Sequence, residues 1–387
     1  MPSAHFIRGL QSYLSYWLAK TADLQDATIR QLNPDFPNVF RVVEMGLVLP
    51  ETREKTAKLM LQCFFWVEQV GYIQAWQPLV GLAVQYMSDI NNYLYFRLLK
   101  QLGQLQRLQY QLDMAVATFI QAEQLAHSLA DKQALAETYM NLCQVYHLQG
   151  MYEEAERYGR LALDYFSDQQ PRLRAITFRT LGIMAQEQGR LQQAQVHLQD
   201  SLALTGLPRE RALTLNVLAV VFQQKEQPDQ ALQTYNDLLT FVDDITYANL
   251  FVEILLNKGS LLYKLECLTE AEVVFKDVEQ LLKQRPGFLF HKARLANNLG
   301  CILREQARYL MAEKYFRRSI QQFALVNSDI YQANAWGNLA KLFVYQEKRA
   351  EAIACYDEAL ELVASCLDNM FARELQKTYT RLRKELG

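Results

Sequence analysis

The chain has 387 residues, half of them apolar, with 40 basic residues against 42 acidic ones and a formal net charge of −2. That composition supplies a large core and excludes a disordered chain, whose mark is low hydrophobicity with high charge. The near-balance of charge leaves no electrostatic footprint for nucleic acid or an anionic membrane, so neither is expected as a partner.

The N-terminal stretch MPSAHFIRGLQSYLSYW lacks the basic segment, apolar core and small-residue cleavage site of a secretory signal. No run of about eighteen apolar residues is available for a membrane span. Six cysteines, at 63, 143, 267, 301, 355 and 366, form no C-x-x-C pair. Such sparse spacing suits free thiols in a reducing compartment, and a cytoplasmic location is expected. Residues 1–53 are read as a helical N-terminal cap.

Beyond the cap, apolar residues recur at three- and four-residue spacing, the pattern of amphipathic helices. Only nine prolines and fifteen glycines punctuate the chain. The pattern also repeats. In NLCQVYHLQGMYEEAERY, residues 141–158, Cys143 is followed twelve residues later by Ala155, and seven after that comes Ala162. Gly103 leads in the same way to Ala115, Phe119 and Ala122, and Gly182 to Ala194 and Ser201. Ala219 leads to Ala231 and Tyr235, Gly259 to Ala271 and Phe275, and Gly300 to Ala312 and Phe316. Ala340 leads to Ala352, Tyr356 and Ala359. The seven starting points are separated by 40, 39, 37, 40, 41 and 40 residues. A looser copy starts near Phe64, with Trp76 and Ala83 in the later slots.

Each period predicts two antiparallel helices joined by a short turn. The paired small residues mark where the helices cross, since larger side chains would force them apart. The aromatic four residues after the alanine lies one turn along the same helix face and is expected to fill the groove against the next unit. One hairpin cannot bury its apolar face alone, so neighbours are expected to stack. Gly150 and Gly189 fall just past first helices, where a left-handed C-cap suits glycine. Pro228 is read at the same place in its own unit.

The phrases NLCQVYHLQGMYEEAERYGRLAL, TLGIMAQEQGRLQQAQVHLQDSL and NLAKLFVYQEKRAEAIACYDEAL resemble tetratricopeptide repeats, and the resemblance covers about residues 54–363. The period near forty, with links such as HSLADKQALAETY and LVNSDIYQANAW, resembles the long-period subtype. That subtype occurs in bacterial maltose-regulator-like proteins and in the sensor arms of signal-transduction ATPases. The resemblance implies an all-α, right-handed solenoid of stacked helix–turn–helix hairpins with helical caps. Residues 1–53 would form the first cap, 54–363 one degenerate and seven clearer repeats, and 364–387 a C-terminal capping helix. In that last helix Met370, Leu375, Tyr379 and Leu382 are expected to cover the final hairpin. Arg381, Arg383 and Lys384, interleaved with Glu374 and Glu385, read as a solvated outer face. Near the N-terminus, LQDATIRQLNPDFPNVFRVVEMGL and LQCFFWVEQVGYIQAWQPLVGLAV resemble the junction that follows the nucleotide-binding module in those ATPases, with Asn38, Trp66 and Gly71 as matching positions. No G-x-x-x-x-G-K-[ST] loop occurs, so the chain is expected to be either a free-standing sensor arm or one whose module is supplied by another chain.

Cys143, His147, Glu153, Glu154 and Glu156 form a cluster that invites a metal or catalytic reading. Zinc wants spacings such as C-x-x-C or H-x-x-x-H converging on one point, and these are absent. Cys143 instead occupies a helix-crossing slot and reads as a small buried hydrophobe, while the glutamates at a helix start complement its dipole. The other histidines, His5, His127, His197 and His291, have no local nucleophile arrangement. Neither a catalytic residue, a metal site nor a cofactor is expected.

Residues on the first helices that are free of crossing duty point to a groove. They are Gln144, His147, Arg179, Gln186, Asn216, Gln223, Glu253, Tyr263, Arg294, Asn297, Arg304 and Lys341, with Glu137, Met140, Ser260 and Asn334 on the same faces. Amides satisfy both donors and acceptors of a peptide backbone, and arginines suit carboxylates. The expected function is a non-catalytic scaffold or sensor that holds a peptide or protein segment, with the oligomeric state left open. The alternative is the sensor arm or a subunit of a transcription regulator or signalling ATPase whose catalytic module lies on another chain. The slot Met140, Arg179, Asn216, Leu256, Asn297 and Gly337 holds a single basic residue, so a chaperone-tail clamp is not expected.

Overall fold

A computed structural model describes residues 3–22, 32–70, 72–88, 92–243, 247–283, 285, 287–367 and 369–387. Among them lie nineteen α-helices, two short 3-10 turns and no strand. Contacts divide the chain into two units, Met1–Thr177 and Phe178–Gly387. The first unit holds α1 (Ala4–Lys20), α2 (Phe36–Val48), α3 (Arg53–Val70), α4 (Ile73–Met87), α5 (Asn92–Leu108), α6 (Leu112–Ser128), α7 (Lys132–Leu148) and α8 (Tyr152–Tyr165). The boundary falls inside α9 (Pro171–Glu187). The second unit continues with α10 (Leu191–Leu204), α11 (Pro208–Gln224), α12 (Pro228–Leu238), α13 (Ala248–Lys264), α14 (Leu268–Lys283), α15 (Leu289–Glu305), α16 (Tyr309–Leu325), α17 (Asp329–Tyr345), α18 (Arg349–Val363) and α19 (Met370–Leu386).

In the first unit, Leu10, Leu14 and Trp17 of α1 share a core with α2, α3 and α4. Phe36 is its hub, with ring centroids 5.1 Å from Trp66, 5.7 Å from Trp76 and 4.5 Å from a stacked Tyr72. Trp76 and Ala83 are fully buried, as is Cys63, whereas Phe64 is only half-buried. Trp66 is therefore a core residue, Asn38 is exposed, and Gly71 lies outside the described residues.

The seven clear periods fold as the hairpins α5/α6, α7/α8, α9/α10, α11/α12, α13/α14, α15/α16 and α17/α18. Their starting residues do sit at the helix crossings, but what fills the crossing differs from expectation. A Cβ on Gly103, Gly259 or Gly300 would lie 2.7, 2.5 or 2.6 Å from the ring of Phe119, Phe275 or Phe316, respectively. The aromatic therefore packs over the glycine of its own hairpin and not into the groove against the next unit. The reason is volume. Sixteen residues separate the partners, and the pair must fill one gap between two helix axes. Gly182 faces Leu198 in the same way, with a would-be contact of 2.8 Å. Where the first slot is the larger Cys143, the sequence places Gly159 sixteen residues on.

Every hairpin turn uses one left-handed residue, seven positions after its starting residue. Gly150 and Gly189 adopt φ 75° and 78°. Tyr110, Glu226, Glu266, Ala307 and Glu347 adopt the same conformation at φ 56°, 58°, 62°, 55° and 60°. Glu226, not Pro228, thus holds the glycine position of the fourth hairpin. Pro228 is the first residue of α12, where its missing N–H costs no helical bond. The turn closes by backbone pairing: Gly150 N–H donates to His147 O at 3.0 Å and Met151 N–H to Tyr146 O at 2.9 Å. That is the Schellman pattern, which satisfies carbonyls the helix end would leave bare.

At the chain's end α19 packs on the last hairpin through Ala372, Leu375 and Tyr379, with Leu382 partly buried beside them. The side chain of Met370 lies outside the described residues. Gly337 admits the Tyr379 ring, since a Cβ there would fall 2.1 Å from it. Arg383 is held by Asp357, with Nη2 to Oδ2 at 3.2 Å, and Arg381 lies 3.9 Å from Glu385. No described helix is long and apolar enough to cross a membrane.

Candidate functional site

Within the cluster of Cys143, His147, Glu153, Glu154 and Glu156 in the first unit, Cys143 is a packing residue and Glu153 is exposed. Cys143 is fully buried, and burial pushes its thiol up to about 12. The His147 ring lies 6.2 Å from Tyr152. No group of three or more His, Cys, Asp or Glu able to hold a metal exists among the described residues. Side chains also bridge consecutive first helices here. Gln104 donates to Asn141 at 3.2 Å, and Lys100 pairs with Glu137. Met140 is buried in α7, and Gln144 and His147 are half-buried.

The second unit carries the same bridging much further. Gln186 Nε2 donates to Gln224 at 2.9 Å. Arg179 and Glu210 form an ion pair at 2.5 Å, with side chains 15% and 6% exposed. Asn216 Nδ2 reaches Glu253 at 3.4 Å, while its Oδ1 accepts from Asn257 at 3.2 Å. Asn257 in turn accepts from Arg294 at 2.6 Å. Asn298 donates to Ser260 Oγ at 3.0 Å. Asn297 donates to Asn334 at 3.2 Å and accepts from Asn338 at 3.1 Å. These bonds form a polar ladder across α11, α13, α15 and α17, amide to amide except between α13 and α15, where Arg294 and Ser260 complete it. Each rung is one helix step from the next because the repeat period returns the same face every time.

Beside the ladder lies a cavity of about 320 Å³. It collects Tyr263, Arg294, Asn297, Arg304 and Lys341, five of the expected groove residues, together with Ser260 and Asn334. The remaining expected residues lie elsewhere: Arg179, Gln186, Asn216 and Glu253 are engaged in the bonds above, Gln223 is half-buried in α11, and Gln144 and His147 belong to the first unit. The cavity adds residues that the periodic reading missed: Lys264, Asn298, Cys301, Tyr331, Asn338 and Phe371. Asn298 lies one position from Asn297 and Asn338 one helix turn from Asn334, and the signal that would have found them is the recurrence of asparagine at 298 and 338, forty residues apart. Phe371 has no such signal. It arrives from α19, whose Arg373 Nη2 donates to the Gln188 carbonyl 185 residues away at 3.4 Å. Leu256, once placed on the slot of a clamp, is instead fully buried.

The electrostatics of the cavity are one-sided. Lys264, Arg294, Arg304 and Lys341 line it with no carboxylate among the described lining residues, while Glu305 pairs with Arg304 at 2.9 Å. Burial lowers the Lys264 ammonium from its ordinary value, with Glu374 opposing. Burial also lowers Lys341, and Arg304 lowers it further. Arg304 is braced from one side: its Nη2 donates to Tyr263 Oη at 3.0 Å and to Glu305 at 2.9 Å. Such a surface can bind an extended polar chain and neutralise negative charge.

The tetratricopeptide-repeat family model matches residues 173–243 and 291–365, which hold four of the hairpins described. No curated protein matches the chain. Among solved structures, the apo form of the quorum sensor NprR from B. thuringiensis is similar at 17% identity and a TM-score of 0.62, over 92% of this chain and 99% of that one. A Rap protein complexed with competence and sporulation factor is similar at 15% identity and a TM-score of 0.57, over 85% and 98% of the two chains. The apo form of RapI is similar at 13% identity and a TM-score of 0.57, over 73% and 99%. At these identities the likeness speaks for the fold, and the hairpins outside the matched segments keep the same crossing pairs and left-handed turns. The chain thus has the fold of a tetratricopeptide-repeat-like helical solenoid, with repeats of that family at residues 173–243 and 291–365.

Proposed function

We propose that this chain is a non-catalytic peptide-binding sensor of the cytoplasm, and that its second unit holds the peptide along the first-helix amides. The observation that carries this reading is the ladder Asn257, Asn297, Asn298, Asn334 and Asn338 beside a cavity. A primary amide offers two donors and two acceptor lone pairs. Asn297 uses one of each within the ladder, so a donor and an acceptor remain for a backbone. A peptide carries the same donor–acceptor repeat along its length, so rungs at regular spacing suit an extended chain better than a compact small molecule. The fold likeness to a quorum sensor, and to a protein crystallised with competence and sporulation factor, supports a sensor role.

The test begins with peptides selected by display on the purified protein. Their affinities are then measured by calorimetry for the native chain and for Asn297→Ala/Asn338→Ala. A loss of about tenfold or more is expected, since each buried bond to a lost amide is worth about 1 kcal/mol. Undiminished affinity in a variant with native circular dichroism would remove the groove from the reading.

A further inference from the structure

Helix α19 makes two kinds of contact. Ala372, Leu375 and Tyr379 lie on the final hairpin, as a cap requires. The first turn makes others. Asn369 fixes that turn, its side chain accepting from the N–H groups of Phe371 and Ala372 at 2.9 and 3.3 Å, the ordinary role of an N-cap. Phe371 joins the lining of the cavity, its ring 6.3 Å from that of Tyr331 on α17. Arg373 Nη2 donates to the Gln188 carbonyl at 3.4 Å. Gln188 belongs to the α9/α10 turn, so this bond joins the start and the end of the second unit across four intervening hairpins. Glu374, the next residue, favours the charged form of Lys264 on the cavity wall. Anchoring differs between the two sets of contacts. Arg373 and Glu374 are exposed and Phe371 is half-buried, whereas Ala372 and Tyr379 are 0% and 1% exposed. Local opening draws on such weakly held ends, so the first turn can release while the body of α19 stays seated.

We propose that the first turn of α19 is a latch on the cavity. It narrows the recess while Arg373 holds the Gln188 carbonyl, and opens it when Arg373 lets go and Phe371 withdraws from Tyr331. The latch stands on the geometry of α19; that a peptide is what it admits rests on the peptide-binding reading. Its effect on a ligand follows by population. Apparent affinity is reduced to the fraction of chains whose latch is open, so the native chain binds more weakly than one without the Arg373 bond.

The native cysteines report the latch without a ligand. Cys301 lines the cavity together with Phe371, and burial raises its thiol, so it alkylates slowly while the latch is shut. Cys355 shares a core with Tyr379 beneath the body of α19, and Cys63 and Cys143 are buried in the first unit. The protein is treated with iodoacetamide, and peptide mass spectrometry gives the rate at each cysteine. In Arg373→Ala and in Phe371→Ala the Cys301 rate should rise about threefold to tenfold, the weight of one exposed bond or one ring contact. The rates at Cys355, Cys63 and Cys143 should not change. An unchanged Cys301 rate in both variants would overturn the latch. So would equal acceleration at Cys301 and Cys355, which means that the whole of α19 has come away. A dye-labelled random heptapeptide pool, followed by fluorescence anisotropy, should bind Arg373→Ala tighter than the native chain by the same factor. Equal or weaker binding would overturn the latch as a gate. A pool that binds neither protein counts against the peptide reading instead, and the Cys301 rates then decide the latch alone.

Discussion

Replacing Ala307 with glycine should stabilise the α15/α16 hairpin. Ala307 sits at φ 55°, where an L-residue costs roughly 1–2 kcal/mol through contact of its Cβ with the backbone. Glycine escapes that cost but gives up roughly 0.5–1 kcal/mol of extra chain entropy on folding. The difference favours glycine by about 0.5–1 kcal/mol. Tyr110, Glu226, Glu266 and Glu347 share this conformation, and all five side chains are exposed, so little packing is lost. The sites are at least one repeat apart and should add, which puts the five-fold variant about 2.5–5 kcal/mol above the native chain. The reverse substitution, Gly150→Ala at φ 75°, should cost about 1 kcal/mol. Urea melts followed by far-ultraviolet circular dichroism give the midpoints. Because repeat arrays can unfold in segments, hydrogen exchange at Arg308 N–H, which closes the turn on Leu303 O, gives the local value. If Ala307→Gly and Gly150→Ala shift stability in the same direction, the left-handed strain argument fails.

Gly300→Ala should destabilise by about 1–3 kcal/mol, because its Cβ would sit 2.6 Å from the fully buried Phe316 ring; an unchanged urea midpoint would show that the helices separate freely. Tyr379→Ala should cost about 3–5 kcal/mol and release α19 and the final hairpin first, read as early proteolysis near the C-terminus. Equal protection of the native and variant chains would contradict the capping role. Burial, with Arg294 adding to it, pushes His291 down to about 4 from an ordinary 6.5. Between those values the unfolded chain binds a proton that the fold excludes, so stability should fall as pH drops from about 6.5 towards 4. His291→Gln should flatten that part of the stability profile, and an identical slope in both proteins would rule the histidine out as its source.

The sequence by itself determined the helices, their pairing and the crossing slots. Those features rest on local rules. A period of about forty returns the same apolar face, and a gap between two helix axes accepts only certain side-chain volumes. Gly103, Gly259 and Gly300 are legible because nothing larger fits. Even so, the partner of each glycine was misplaced, since an aromatic one turn from the alanine can point into its own hairpin or away from it. Glu226 was hidden for a different reason. A left-handed turn announces itself only when it uses glycine, and five of the seven turns use other residues held there by the closing bonds.

Which first-helix residues meet was decided by tertiary structure alone. Arg294, Asn297, Arg304 and Lys341 converge with Tyr263 on one cavity, while Arg179 is spent on Glu210 and Gln186 on Gln224. All were equivalent in the periodic pattern. The rotation between neighbouring hairpins sets which of them converge, and Phe371 joins them from a helix beyond the repeats. Rotation is the sum of many side-chain contacts between units, so no single position in the sequence encodes it.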